Sequence, residues 1–515
     1  MASRWLLLGA CADLLHAASA SQTPLSDTTD SCSAPRFSGI SIPDGEVLDL
    51  TAKTVTDYQI ANSTIDFCNV TVTYTHGWND TIHSMFYLPL SNWNGRFQGV
   101  GGGGWAASQG PESLLEPVLN GYAAGNTDAG HELNILSTES WFLDAQGKLN
   151  IPLLKDFASV ALNDLGVIGK QVSHIFYGVE PHHSYWSGCS TGGRQGYMLA
   201  QRYPTTFDGI FAAAPAINWD RFIIAEYWPQ FVMNSLGHYP EACVLAGITA
   251  AAVEACDGEL DGVDDGVISY PEVCDFDTAS VVGRQLDCGS SITDLDAELV
   301  KRIWEGPRTS NGSLWYGLEK GTDLTGLGGT SCSSPTDCTG QPFAISYDYI
   351  TRWVLQNPDA DLTGITLDEY VELFHSSSKQ YNHIIGTSNP DLSAFKEAGG
   401  KLLTWHGVAD PLIFPKGTED YYTRVESQDP NVRDFYRLFE APGVGHCAGG
   451  VGEVPVDPLQ AVVAWVENGT APETLLARSD DGQRTRELCL WPLISVYEGG
   501  DPTKPESFVC EEGFS

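Results

Sequence analysis

Basic residues are scarce in this chain. Lysine and arginine together number 27 against 66 aspartates and glutamates, a formal net charge of −39 over 515 residues. Such a surface repels polyanions, so nucleic-acid binding is excluded. Long apolar runs are also missing. Beyond the N-terminal stretch no segment is long enough to span a bilayer, and no membrane anchoring is expected of the mature chain. Internal repeats and long low-complexity tracts are absent as well. With 42% hydrophobic and 10% aromatic residues, the chain has the means to bury a large core, as one big domain or two.

The first residues carry an address. Arg4 precedes the apolar run Trp5-Leu6-Leu7-Leu8-Gly9-Ala10, and Ala18-Ser19-Ala20 supplies the small-x-small pattern of a signal-peptidase site, so residues 1–20 read as a removed signal peptide. Its loss takes Cys11 away and leaves twelve of thirteen cysteines, an even number that fits six disulfides and an oxidising compartment. Sequons at Asn62, Asn69, Asn79, Asn311 and Asn468 fit the same location, since each would place its segment at the surface of a secreted protein.

Strands and helices alternate in the first part of the chain. Residues 70–74 and 84–88 have strand character, residues 97–100 run into four glycines at 101–104, residues 151–170 read as helical, residues 183–186 as a strand and residues 193–202 as a helix. The pattern returns late, with strands at 401–405 and 434–439 and a closing helix at 458–467. Alternation of this kind is the signature of an α/β fold. Between the two stretches, residues 220–395 hold several loops rich in Cys, Gly, Asp and Ser with little strand periodicity. They are expected to form an inserted lid domain, leaving residues 21–219 and 396–515 as the catalytic domain.

Chemistry concentrates at three places. Ser187-Gly188-Cys189-Ser190-Thr191-Gly192-Gly193 lies between an expected strand and an expected helix and contains the Gly-x-Ser-x-Gly pattern of a nucleophile elbow. A serine on that sharp turn needs small residues two before and two after it, because side chains there would collide with the strand and helix being joined. A hydroxyl is a poor nucleophile until a base takes its proton, so a histidine and an acid must follow, in the order Ser, Asp, His. Asp410, in the loop after the strand at 401–405, and His446, in the loop after the strand at 434–439, occupy those places. The expected triad is Ser190, Asp410 and His446. His406 precedes Asp410 in the same loop and is read as packing or orienting it, outside the triad; His182 and His183 stay unassigned.

Gly188-Cys189-Ser190-Thr191-Gly192-Gly193, His406-Gly407-x-x-Asp410 and Gly445-His446-Cys447 together resemble the tannase and feruloyl esterase family of secreted microbial esterases, from about Cys32 to the C-terminus. The distinctive part is a cysteine beside the nucleophile and another beside the base, which the family joins in a disulfide. The stretch from Ala464 to Pro472 resembles the family's closing segment. The resemblance implies an α/β-hydrolase core with a large lid. It also implies a carboxylic ester hydrolase that cleaves phenolic acid esters, such as feruloyl or hydroxycinnamoyl esters of plant cell-wall material, through an acyl-enzyme. Gallate esters are the nearest alternative substrates. From a different class, a catalytically silent secreted binding protein on a hydrolase scaffold is the alternative, since fold does not guarantee activity. Oxyanion stabilisation is expected from the backbone N–H of Thr191 and one from the glycine loop, taken as Gly103.

The lid carries Asp257-Gly258-Glu259-Leu260-Asp261-Gly262-Val263-Asp264-Asp265-Gly266-Val267, where crowded carboxylates need a counter-charge. Hard oxygen donors on glycine-bearing turns suit Ca2+, although EF-hand spacing is absent. By resemblance, Asp257, Asp261 and Asp265 would ligate through side chains and Val263 and Val267 through carbonyls, with one extra residue here between Asp257 and Asp261. The ion would be structural, because a serine esterase needs no metal to activate its nucleophile. Proximity and resemblance pair Cys189 with Cys447, Cys256 with Cys274, Cys32 with Cys68 and Cys489 with Cys510. The remaining four stay open, with Cys332–Cys338 and Cys243–Cys288 as one arrangement.

Overall fold

The computed structural model describes residues 32–513 apart from residues 259, 260 and 336. The expected signal peptide lies outside the described residues. Nine strands form one sheet: β1 (Glu46–Ile60), β2 (Ser63–Thr75), β3 (Ile82–Pro89), β4 (Arg96–Val100), β5 (Ala123–Thr127), β6 (His183–Cys189), β7 (Gly209–Ala213), β8 (Lys401–Gly407) and β9 (Tyr436–Ala441). Their spatial order is β1-β2-β3-β5-β4-β6-β7-β8-β9. β1 to β3 are antiparallel, β3 pairs antiparallel with β5, and every pair from β5 to β9 is parallel.

The two halves of the sheet differ in sequence because they differ in burial. In β2, Cys68, Val70, Val72 and Tyr74 are buried while Asn69, Thr71 and Thr73 are partly exposed, the alternation of a strand whose second face is wet along this stretch. In β8, all six residues from Leu402 to Gly407 are buried, as a parallel strand covered on both faces requires. Helix α1 (Ala161–Tyr177) covers one face, against β3, β4 and β5, and helix α3 (Pro458–Asn468) covers the other, against β7 and β8. Helix α2 (Thr191–Arg202) follows β6 directly.

Among the described residues, 214–400 add no strand to this sheet. The segment is largely helical, including Trp219–Ala225, Trp228–Leu236, Ala242–Cys256, Asp294–Glu305 and Leu367–Tyr381, and two of these helices start on capping boxes, Thr293 with Asp296 and Thr366 with Glu369. It shares its core with the sheet. Trp105 and Phe157 sit in one cluster with Trp219, Tyr349 and Trp353, with ring centroids 5.1 to 6.3 Å from Trp105. Six disulfides tie the described chain: Cys32–Cys68, Cys189–Cys447, Cys243–Cys288, Cys256–Cys274, Cys332–Cys338 and Cys489–Cys510. Among the described residues no helix is long and apolar enough to cross a membrane.

Helix α1 lies close to the sheet because it presents glycines there. A Cβ on Gly169 would sit 2.1 Å from the Phe97 ring, and one on Gly166 would sit 2.3 Å from Thr206. Gly169→Val therefore overpacks a filled core and should cost about 1–3 kcal/mol. The urea midpoint reads this; an unchanged midpoint would show that α1 is not held at this spacing.

Candidate active site

β6 ends at Cys189 and α2 begins at Thr191, which leaves Ser190 alone on the turn with φ 62° and ψ −124°. That conformation costs a non-glycine residue about 1–3 kcal/mol and persists only where its surroundings over-determine it. They do. The Ser190 N–H donates to Ala213 O at 3.1 Å, and its carbonyl accepts from Arg194 and Ala216. A Cβ on Gly188 would lie 2.5 Å from the Gly192 backbone and one on Gly193 would lie 2.5 Å from Ala213 O, so only glycine fits either position.

Asp410 follows β8 and is fully buried. Its Oδ1 accepts the backbone N–H groups of Leu412 and Ile413 at 2.9 and 3.0 Å. Its Oδ2 lies 2.7 Å from His446 Nδ1 and 3.2 Å from His406 Nε2. Burial alone would raise this carboxyl, but the His446 charge and the hydrogen bonds from both histidines hold it well below the usual carboxylate range. In turn, burial would lower His446, and the Asp410 charge and hydrogen bond outweigh it and raise the imidazole. With Nδ1–H given to Asp410, the free Nε2 of His446 is the basic nitrogen.

His406 is also fully buried. Its Nε2 faces two acceptors, Asp410 Oδ2 and Ile413 O, and so carries the proton, while the Thr418 hydroxyl donates to Nδ1 at 2.9 Å. The residue read as orienting the acid loop thus touches the acid itself. The Cys189–Cys447 disulfide, with Cα atoms 5.9 Å apart, joins the neighbours of Ser190 and His446 and brings both loops to one place.

In the glycine loop, Gly101 N–H donates to Ser187 O, Gly102 N–H to Gln195 Oε1 and Gly103 N–H to Ala106 O, each at 3.0 to 3.1 Å. Gly103, the expected oxyanion donor, has therefore spent its N–H on the loop's own turn. Among the described residues the N–H groups of Gly104 and Thr191 have no such acceptor. The Thr191 hydroxyl donates to Gly104 O at 2.7 Å and holds the two peptides side by side. Gln195, which also donates to Ala107 O, and the fully buried Arg194 pin this region and carry no sequence signal of their own. Arg194 gives its guanidinium to the carbonyls of Phe157 and Ala158 and stacks on Phe157 and Trp219.

The acidic loop sits against the histidine loop. Val267 packs on Gly443, and residues 266–268 line with His446 a cavity of about 480 Å³. Asp265 offers one oxygen, Oδ2, to Arg486 at 3.2 Å, while its Oδ1 is buried without a partner, and burial pushes the carboxyl up to about 6. Such an orphaned hard donor fits a cation. Asp257 does otherwise: its carboxylate caps the N–H groups of Asp265 and Gly266. Asp261 accepts from Val263 N–H and from Ser269. Asp257, Asp261 and Asp265 do not form one of the donor groups whose atoms all lie within 4.8 Å of one another. Of the sequons, Asn62, Asn79, Asn311 and Asn468 are exposed, whereas Asn69, in β2, has its Oδ1 buried.

Parallel strands that deliver an elbow serine, an acid loop and a histidine loop in that chain order define an α/β hydrolase. The chain matches the model of the tannase and feruloyl esterase family over residues 68–511 and belongs to that family. It is a carboxylic ester hydrolase of the serine type. A probable feruloyl esterase of Arthroderma benhamiae is 42% identical over 469 residues, 88% of this chain and 87% of that protein. A tannase of Aspergillus oryzae is 30% identical over 513 residues, covering 87% and 86%. Among solved structures, a tannin acyl hydrolase from Aspergillus niger superposes with a TM-score of 0.85 at 27% identity over 94% of this chain and 95% of its own. Feruloyl esterase B from Aspergillus oryzae gives 0.79 at 27% over 94% and 100%.

Replacing Cys189 and Cys447 together by alanine should lower stability by up to about 5 kcal/mol in the chain-entropy model, because the bond closes a very long loop. Turnover should fall too, by on the order of a hundredfold per 1 Å of serine–histidine misplacement. Thermal unfolding and ester hydrolysis of the double variant check both; wild-type values for both would mean the latch holds nothing.

Proposed function

We propose that this protein is a secreted esterase that releases phenolic acids, feruloyl or related hydroxycinnamoyl groups, from esters of plant cell-wall material, with Ser190 as nucleophile, His446 as base and Asp410 as its orienting acid. The observation that carries the catalytic reading is the 2.7 Å Asp410–His446 hydrogen bond, delivered beside the strained Ser190 elbow by the adjoining disulfide. His446 takes the serine proton as Oγ attacks the ester carbonyl, then returns it to the departing alcohol; water, activated by the same imidazole, releases the acid from the acyl-enzyme. Asp410 stays ionised throughout and stabilises the imidazolium. The oxyanion falls to the N–H groups of Thr191 and Gly104, because Gly103's is engaged with Ala106.

The acyl preference is drawn from the relative named a probable feruloyl esterase, at 42% identity. Gallate esters are the second reading, favoured by the higher TM-score of the tannin acyl hydrolase. Secretion is supported by the apolar N-terminal run, the six disulfides and the four exposed sequons, which are the proposed glycan sites. A structural Ca2+ is proposed on Asp261 and Asp265 with the carbonyls of Val263 and Val267, supported by the orphaned Asp265 Oδ1. Asp257 serves it indirectly, by capping the loop's N–H groups.

Ser190→Ala should remove turnover and fluorophosphonate labelling while leaving Tm within a few degrees; activity within about tenfold of wild type refutes the nucleophile. On the intact enzyme, kcat/KM for methyl ferulate, caffeate, sinapate and gallate reports differential transition-state binding and decides between the two acyl readings. For calcium, Asp265→Ala or prolonged chelation should lower Tm, with chemistry at Ser190 changed less. A metal analysis free of calcium together with unchanged melting would remove the ion.

A further inference from the structure

We propose that His76, Asp80 and Asp156 form a binding site for a divalent metal ion of the Zn2+ or Mn2+ type, separate from the triad and from the acidic loop. His76 leaves the end of β2, Asp80 lies in the turn before β3, and Asp156 opens a π-helical turn (Asp156–Val160) that leads into α1. His76 Nδ1 lies 3.0 Å from Asp80 Oδ2 and 3.8 Å from Asp156 Oδ1, and the three donors have ligand atoms all within 4.8 Å of one another. The side chains are 2%, 0% and 0% exposed.

Asp156 points to a ligand. Both of its carboxylate oxygens are shut away from solvent and accept no hydrogen bond, and Oδ1 faces His76 Nδ1. Asp80, by contrast, is held in place by the Thr75 hydroxyl at 2.7 Å, by the backbone N–H groups of His76 and Trp78 and, without a metal, by a hydrogen bond with His76 Nδ1 at 3.0 Å that an ion would replace. On the far side of the imidazole, Asp164 Oδ2 lies 3.1 Å from His76 Nε2 and accepts the Tyr74 hydroxyl at 3.3 Å. A carboxylate on one ring nitrogen that leaves the other facing carboxylates is how a metal-binding histidine is oriented.

Charge gives the same answer. Three carboxylates surround a single imidazole, which can neutralise only one of them, and among the described residues no lysine or arginine forms an ion pair with any of the three. A buried anion without a partner costs several kcal/mol, and neither oxygen of Asp156 has one. An imidazole nitrogen among the donors favours a transition ion over Ca2+. Trp78, stacked on His76 at 5.0 Å and 43% exposed, is the cover on the solvent side. The ion would tie the β2–β3 turn to the π-turn whose Phe157 and Ala158 carbonyls receive Arg194 from the nucleophile helix.

The test uses the whole protein, stripped with a chelator, returned to Ca2+ alone and then titrated with Zn2+, Mn2+ or Co2+. The wild type should take up one equivalent, show a Tm that rises with metal concentration, and give Co2+ the visible absorption of a nitrogen- and oxygen-ligated ion. Asp156→Asn should weaken binding by about 100-fold or more and abolish the Tm rise, while Asp265→Asn keeps both. Should Asp156→Asn not fold, Asp80→Asn and the wild-type Co2+ spectrum decide in its place. Uptake that survives Asp156→Asn and Asp80→Asn, or a wild-type Tm indifferent to all three ions, overturns the site.

Discussion

A fully buried carboxylate, Asp410, sets the terms for everything around it. Removing such a charge from water costs several kcal/mol unless each lone pair finds a donor. Here four donors converge: two backbone N–H groups of its own turn, the imidazole of His406 and the imidazole of His446. Each requires structure elsewhere. The turn needs β8 to end at Gly407, His406 needs the Thr418 hydroxyl to fix its tautomer, and His446 needs the loop after β9 to reach across from the next strand. The acid loop, the following helix and the histidine loop are therefore one electrostatic unit.

The elbow serine answers to a steric constraint instead. Ser190 can hold its strained backbone only because glycine at 188 and 193 lets β6, α2 and the end of β7 approach closer than any Cβ permits. Nothing in that contact fixes where the histidine lies. The Cys189–Cys447 bond supplies the missing link, since it joins the sterically fixed elbow to the electrostatically fixed loop. Two independent organising forces meet at one covalent bond.

How much could be read from the chain follows the same division. The elbow was legible because its glycines are backbone requirements; the need for a base and an acid followed from the chemistry of a serine hydroxyl, and their order from the α/β-hydrolase pattern. The loops of Asp410 and His446 do follow parallel strands. The oxyanion glycine was not legible. Four glycines in a row carry no side chain to tell them apart, and Gln195 and Ala106, far from obvious partners, decide which N–H groups are engaged. Arg194 was equally opaque, because its aromatic neighbours Phe157 and Trp219 come from either side of it in sequence, tens of residues apart. Residues 220–395 looked loop-rich, yet their helices share one hydrophobic cluster with the sheet, a property that only long-range packing reveals.

Buried carboxylates elsewhere in the molecule gain their meaning by comparison with Asp410. That residue is held ionised because its donors are fixed by backbone and rings. Asp265 has a donor for one oxygen and none for the other, and Asp156 has no hydrogen-bond donor for either; in both, burial raises the carboxyl. In a chain with 66 acidic residues and only 27 basic ones, most carboxylates have no guanidinium or ammonium of their own, and Asp156 is one of them. The buried Arg194 is committed to backbone carbonyls, and Arg486 reaches only one oxygen of Asp265. Beyond the imidazoles, a cation from solution can supply positive charge, and the places that call for one are those where geometry gathers oxygen or nitrogen donors and hydrogen bonding leaves them unanswered.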